Sequence, residues 1–377
     1  SMILMEGNMM TKRWLRLLAL VLAFGLIAAA CGDDDDDAGD GGDDSATTDD
    51  GGEGDDGEGD DGEGDGGTAA ASLADVCPDP LSIQTDWFPE SEHGALYELL
   101  GDDYEVDVDN KIVRGTMTLG GEDLGVQWEV RTGGPAIGFA PVASYMYTDD
   151  GITFGYANTE AQAFQFADTP MVSVVAPLEK NPQIIMWDPE TYPDVEGIAD
   201  HGEEEDTVNI FAGGTFADVF VAQGIWSEGQ VDPSYDGSPA RFVSEGGAIA
   251  QQGFASAEPF TYENVFEDWG KPVAFELLHD AGFEVYSQTV AVREGDLEEL
   301  RPCLEQVVPI IQQAVVDFSN DPARANAIIV DAVEQYADFW VYTPELAEYS
   351  VATMNELGLV GNGPDDTVGN MDLERVQ

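Results

Sequence analysis

From Leu81 onward, short apolar runs alternate with longer amphipathic stretches. The run Leu81-Ser-Ile-Gln-Thr85 predicts a strand, closed by a turn at Asp86–Pro89. A helix follows, with Ser91 as N-cap and Gly94–Leu100 in its body. Lys111–Leu119 and Gly125–Arg131 alternate as strands, and Pro135–Tyr147 predicts a helix opening after Gly133-Gly134. Ile152–Tyr156 and Met171–Ala176 are short apolar strands, the second a β-branched run of the kind found in buried parallel sheets. A second block starts after the polar stretch His201–Asp206. It predicts a strand at Thr207–Phe211, a helix at Phe216–Gln223, a strand at Pro239–Glu245 and a helix over 246–254. Beyond Ala274 come a strand at Phe283–Val292 and amphipathic helices at Leu297–Ser319, Asp321–Ala337 and Pro344–Glu356.

This βα alternation, with a middle block and a return crossing, predicts an α/β protein of two lobes joined by a hinge. Residues 73–200 with 274–377 form the first lobe in this reading, and 201–273 the second.

The N-terminal segment has a different pattern. Lys12, Arg13 and Arg16 precede a 14-residue apolar run, Leu17–Ala30, that ends in small residues before Cys31. Such a run spans only about 21 Å as a helix, short of a ~30 Å hydrocarbon core, so 1–30 reads as a secretory signal rather than a membrane span. Residues 1–8 read as a tag or an overcalled start, with Met9 or Met10 the expected beginning. Ala28-Ala29-Ala30-Cys31 resembles the lipobox of bacterial lipoproteins, which implies lipidation of Cys31. Residues 32–67 then hold 15 Asp, 3 Glu and 13 Gly and no cation. No apolar surface is available there and like charges repel, so 31–72 is expected to be a lipidated cysteine followed by a disordered tether. Its extended reach is about 120 Å at most.

Charge narrows the function classes. The chain carries 76 acidic against 13 basic residues, a formal charge of −63. Nucleic-acid binding needs clustered cations, which this sequence lacks. Setting aside Glu6 and the tether acids, with Lys12, Arg13 and Arg16 on the other side, leaves 57 acidic and 10 basic residues in the globular part. Such an excess fits salty surroundings, where screening relieves self-repulsion, and predicts destabilisation at low salt. Three histidines give no metal-ligand spacing, and no cofactor is implied. With Cys31 lipidated, Cys77 and Cys303 remain as a pair in an exported protein and are expected to form a disulfide.

The densest candidate chemistry is Asp86-Trp87-Phe88-Pro89-Glu90-Ser91-Glu92-His93-Gly94-Ala95-Leu96-Tyr97, at the end of the first strand. Open α/β sheets bind ligands at the C-terminal ends of their strands. Trp87 and Tyr97 are placed to sandwich a planar ligand, with His93 hydrogen-bonding a ring nitrogen. A packed aromatic corner with a surface histidine fits the same residues.

The segment DWFPESEHGALY resembles the opening motif of the proteins that bind thiamine pyrimidine precursors, related to the nitrate-, sulfonate- and taurine-type receptors of ABC importers. QQGFASAEPFTYE (251–263) is similar to the second-lobe segment of that group carrying Ala-x-x-x-Glu-Pro, and MNELGLVGNG (354–363) resembles the end of its C-terminal helix. The resemblance implies a type II periplasmic-binding fold, a small-molecule ligand held between closing lobes, an ABC permease partner and a monomer. It also points to Glu258 as a cleft acid. After Tyr97, and again across GVQWEVRTGGPAIGF, the sequence departs from the family's pattern. A related branch builds the pyrimidine from its own histidine with pyridoxal phosphate on a nearby lysine, but here no lysine lies near His93 before Lys111.

In the second lobe, Gly213-Gly214-Thr215 leads from strand to helix, suiting either a helix N-terminus that binds polar oxygen or a simple tight turn. Tyr235 and Asp236 are loop candidates, and Trp187, beside Asp188, is a candidate roof for the ligand. Arg131 and Arg241 suit either an anionic ligand or ion pairs with neighbouring carboxylates. The leading reading is a non-enzymatic receptor for a planar aminopyrimidine-like ligand. The alternatives are a receptor for a sulfonate, nitrate or similar anion, and an enzyme using His93 with Glu92 or Glu258 as acid and base, for which the sequence offers no Ser–His–Asp order, metal-ligand spacing or phosphate loop.

Overall fold

The computed structural model describes residues 72–376. The expected signal segment, Cys31 and nearly all of the tether lie outside the described residues. Twelve described strands form two mixed sheets. The first has the order β2-β3-β4-β1-β5-β12-β6, with β1 Leu81–Gln84, β2 Glu105–Asp107, β3 Ile112–Leu119, β4 Glu122–Arg131, β5 Phe154–Ala157, β6 Met171–Val175 and β12 Thr289–Arg293. The second has the order β11-β7-β10-β8-β9, with β7 Gln183–Trp187, β8 Val208–Phe211, β9 Val231–Tyr235, β10 Ala250–Phe254 and β11 Ala274–Leu277. The fold is therefore the expected two-lobed α/β architecture. The chain passes between the sheets after β6 and again after β11.

Strand β1 lies at the centre of the first lobe, parallel to both β4 and β5. All four of its residues are buried, so its polar side chains need internal partners. Ser82 Oγ donates to the Gly151 carbonyl at 2.7 Å, and Gln84 Nε2 donates to the Thr132 carbonyl at 2.9 Å. Strand β6 is antiparallel to β12 rather than part of a parallel pair. Its β-branched run specifies a strand but says nothing about a neighbour's direction.

The second lobe is larger than the sequence pattern indicated. β7 and β11 pair antiparallel with each other, and β7 also pairs with β10, so the expected boundaries at 201 and 273 exclude two strands of the sheet. The polar stretch taken as the boundary is the end of the helix Ile198–Glu204 and the loop after it. Pro233 lies in β9, an edge strand, where its missing N–H is tolerated.

Several local expectations change. Residues 240–244 are helical, and 250–254, expected as helix, form β10. Gly246 and Gly247, at φ +64° and +76°, end the helix early, and β10 is then fixed by pairing with β7 and β8. The strand expected at 283–292 starts only at Thr289, and the helix expected at 135–147 divides into a 3-10 turn, Gly134–Ile137, and a helix, Val142–Met146. Ser91 is not an N-cap. It opens the 3-10 turn Ser91–His93, which runs into the helix Gly94–Glu98, and its hydroxyl donates to Asn326 Oδ1 at 2.9 Å.

The helices Leu297–Asn320, Ala323–Tyr336 and Pro344–Glu356 back the first lobe. Gly94 lets the short helix sit directly on the Phe318 ring, which would lie 2.0 Å from any Cβ placed there. Cys77 and Cys303 are disulfide-bonded, with Cα atoms 4.8 Å apart, tying the start of the domain to the long helix. No helix among the described residues is long and apolar enough to cross a membrane.

Candidate functional site

The C-terminal ends of strands from both lobes converge on a cavity of about 330 Å³ between the sheets. Strand β1 delivers Asp86, Trp87 and Glu90, and β5 delivers Asn158 and Glu160. From the second lobe come Phe211 to Phe216 after β8, and Phe254, Ala257 and Glu258 at and beyond the end of β10. Gln183 and Gln288 line the cavity where the chain crosses between the sheets, and Phe139 and Trp340 complete it.

Trp87 sits between the lobes, its ring centroid 6.0 Å from Phe211, 5.9 Å from Trp340 and 6.2 Å from Phe139. The segment Thr132-Gly133-Gly134 holds it in place. The N–H groups of Gly133 and Gly134 donate to the Trp87 and Asp86 carbonyls, each at 2.9 Å. Gly134 has φ +57°, and a Cβ there would lie 2.7 Å from the Trp87 ring, so only glycine fits. The stretch that departs from the pyrimidine-receptor pattern is therefore the cradle of the cleft tryptophan.

Behind this wall is a buried polar network. Asp86 Oδ1 pairs with His93 Nε2 at 2.8 Å, and Gln288 Nε2 donates to both Asp86 Oδ2 at 3.1 Å and Glu92 Oε2 at 3.0 Å. Ser256 donates to the other Glu92 oxygen, linking the first lobe to the segment after β10. Gln288 is 3% exposed, and its Oε1 receives no hydrogen bond from the protein.

Four carboxylates line the cavity, Asp86, Glu90, Glu160 and Glu258, and none of its lining residues is Lys, Arg or His. Burial holds the Glu90 carboxyl well above its ordinary range, with the charges of Glu92, Asp86 and Glu258 adding to the effect. Burial also pushes Glu160 up to about 7, and one of its oxygens has no partner. Glu258 is raised to about 7 by burial, against the opposing bonds from the Phe254 N–H at 2.7 Å and Tyr235 Oη at 3.4 Å. Glu92, one layer back, is likewise raised by burial to about 7. The cavity is rich in acceptors and poor in cations.

Of the residues singled out from sequence, Asp86, Trp87, Gly213, Gly214, Thr215 and Glu258 line this cavity. Tyr235 and Asp236 line a second chamber next to it. The others do not reach it. Tyr97 is fully buried, so the expected Trp87–Tyr97 sandwich does not exist. His93 is also fully buried and is spent on Asp86 rather than open to a ligand. Phe88, 1% exposed, packs against Trp340 and Phe339 in the wall. Trp187, 2% exposed, packs edge-on against His201 instead of roofing a ligand. Arg131 pairs with Glu129 and Asp149, and Arg241 with Asp232, outside the cavity. Among the described residues, no three His, Cys, Asp or Glu are grouped to hold a metal ion.

The sequence reading missed Glu160, Gln288, Phe139 and Trp340. The strand-end rule that selected Asp86 applies equally to β5 and would have found Glu160. Trp340 follows a C-terminal helix, and nothing local marks it as a cleft residue.

No family model and no curated protein matches the sequence. Solved structures do resemble it. A protein of Bordetella bronchiseptica RB50 is 12% identical over 79% of this chain and 87% of its own, with a TM-score of 0.50. The periplasmic aliphatic sulphonate binding protein SsuA from Escherichia coli is 14% identical over 79% and 83%, with a TM-score of 0.49. The alkanesulfonate-binding protein SsuA from Xanthomonas axonopodis pv. citri, bound to MOPS, is 12% identical over 79% and 90%, at 0.47. The likeness to the Bordetella protein establishes a shared two-lobed fold.

Proposed function

We propose that this protein is the solute receptor of an ABC importer, anchored to the outer face of the cell membrane through lipid on Cys31. It captures a small, planar, positively charged organic molecule between its lobes and delivers it, as a monomer, to a permease. The observation that carries the ligand class is a cavity lined by four carboxylates and no Lys, Arg or His, with Trp87, Phe139, Phe211 and Trp340 in its walls. Aromatic faces and desolvated carboxylates favour a delocalised cation, and the free Gln288 Oε1 calls for an N–H donor. A protonated aminopyrimidine of the thiamine-precursor kind has these features. Hinge closure would supply the desolvation, with ligand contacts from both lobes favouring the closed state.

The anion reading is weaker on the same grounds, because both candidate arginines are paired with carboxylates away from the cavity. The enzyme reading needs His93 at the cleft, and His93 is sealed behind Asp86.

A thermal-shift panel on the full chain in molar salt tests the proposal. Benzamidine and aminopyrimidines at a hundredfold excess over Kd should add about 2.7 kcal/mol of stability. The shift should be lost in Trp87→Ala and absent with alkanesulfonates and nitrate. Stabilisation by a sulfonate, with none from any cation, would overturn it.

A further inference from the structure

The interlobe cavity adjoins a second chamber of about 610 Å³. Phe139, Gly237, Ala257, Glu258 and Trp340 border both spaces. Past this border the chemistry changes. The far walls are built largely from Tyr262, Val265, Phe266, Phe339 and Val341, with Pro135 and Pro239 beside them. Glu258 stands at the junction, fixed by the Phe254 N–H on one oxygen and Tyr235 Oη on the other. Phe139, Phe339 and Val341 remain 61%, 56% and 59% exposed at the rim, a large exposure for apolar side chains.

We infer that the cleft is bipartite and that its ligand is an amphipathic organic cation. The donor-rich head occupies the acidic chamber, and an apolar arm passes Glu258 into the second. This rests on the cation reading above and extends it. The wall that the two spaces share, five residues including Glu258, is the reason for assigning the apolar chamber to the ligand's own arm. The border between head and arm includes Phe139 and Trp340, whose rings suit an alkyl or aryl chain. Burying that chain removes apolar surface of both ligand and rim from water.

Calorimetric titration of the full chain with benzamidine and its 4-butyl and 4-hexyl derivatives tests the inference. Affinity should rise about fourfold per added methylene while the arm is being buried. Val341→Asp, at an exposed position that folding does not need, should flatten that rise, and hexanesulfonate should not bind. Binding of benzamidine with no gain along the series would overturn the bipartite cleft and leave the cation reading intact. The same holds for a gain that Val341→Asp leaves unchanged, since the arm would then lie elsewhere. Failure of every amidine would remove the cation reading and this inference together.

Discussion

Replacing Glu258 by Gln separates the electrostatic role of the cleft acids from their packing. Glu258 is held against β10, where Gly253 leaves room: a Cβ on Gly253 would come within 2.9 Å of the Glu258 side chain. Its carboxyl rises from an ordinary 4.5 to about 7, chiefly by burial. At about 1.4 kcal/mol per pH unit, keeping it ionised in the empty cleft costs about 3 kcal/mol. The sign follows from proton binding. Below about pH 4.5 the group is protonated in both folded and unfolded chains. Between 4.5 and 7 the folded chain keeps a proton that the unfolded chain has released, so stability falls as pH rises and levels off above 7. Gln carries no charge and can still accept from the Phe254 N–H, now at 2.7 Å from the carboxylate. The variant should therefore be more stable than the parent by up to about 3 kcal/mol at pH 8.5 and by less than about 1 kcal/mol at pH 5. Denaturant midpoints at both pH values, in constant molar salt, read this directly. Over the same range the parent should bind benzamidine, which stays cationic throughout, more tightly as pH rises, with proton release, and the variant should bind it at least about tenfold more weakly at pH 8.5. An equal stability change at both pH values, or a variant less stable at pH 8.5, would refute the argument that burial of this carboxylate dominates.

Two further outcomes follow from the packing. Reduction of Cys77–Cys303, which spans 226 residues, should lower stability by as much as about 5 kcal/mol, seen as a denaturant midpoint that depends on reductant. Gly94→Ala should destabilise the first lobe by about 1–3 kcal/mol, because the new methyl meets the Phe318 ring; circular-dichroism melts of the variant check this, and Phe318→Leu should recover part of the loss.

The parts of this protein that were legible in sequence are those where one period or one chemical feature decides. Leu297–Asn320 and Pro344–Glu356 announce themselves because an apolar stripe at helical spacing has a single low-energy use. The site segment at 86–90 was found because strand ends are where a parallel sheet opens. Pairing of Cys77 with Cys303 followed from export and an even count. Ala250–Phe254 was misread for the opposite reason: of Ala, two Gln, Gly and Phe only Phe favours a strand, and β7 and β8 impose the extended form through their hydrogen bonds. The second-lobe boundary failed similarly, since pairing of β7 with β11 joins residues about ninety positions apart.

The sequence by itself determined the two-lobed α/β plan, the acidic character of the chain and the anchoring of candidate chemistry at the end of the first strand. Those properties are local or compositional. Tertiary structure decided which residues face the cleft and which stand behind it. It buried His93, Tyr97 and Trp187, paired both candidate arginines with neighbouring acids, and brought Glu160, Gln288 and Trp340 to one cavity. The physical reason is that accessibility and desolvation belong to the packed arrangement of distant segments. The same carboxylate is an ordinary surface acid or a group raised to about 7 depending only on what the rest of the chain places around it.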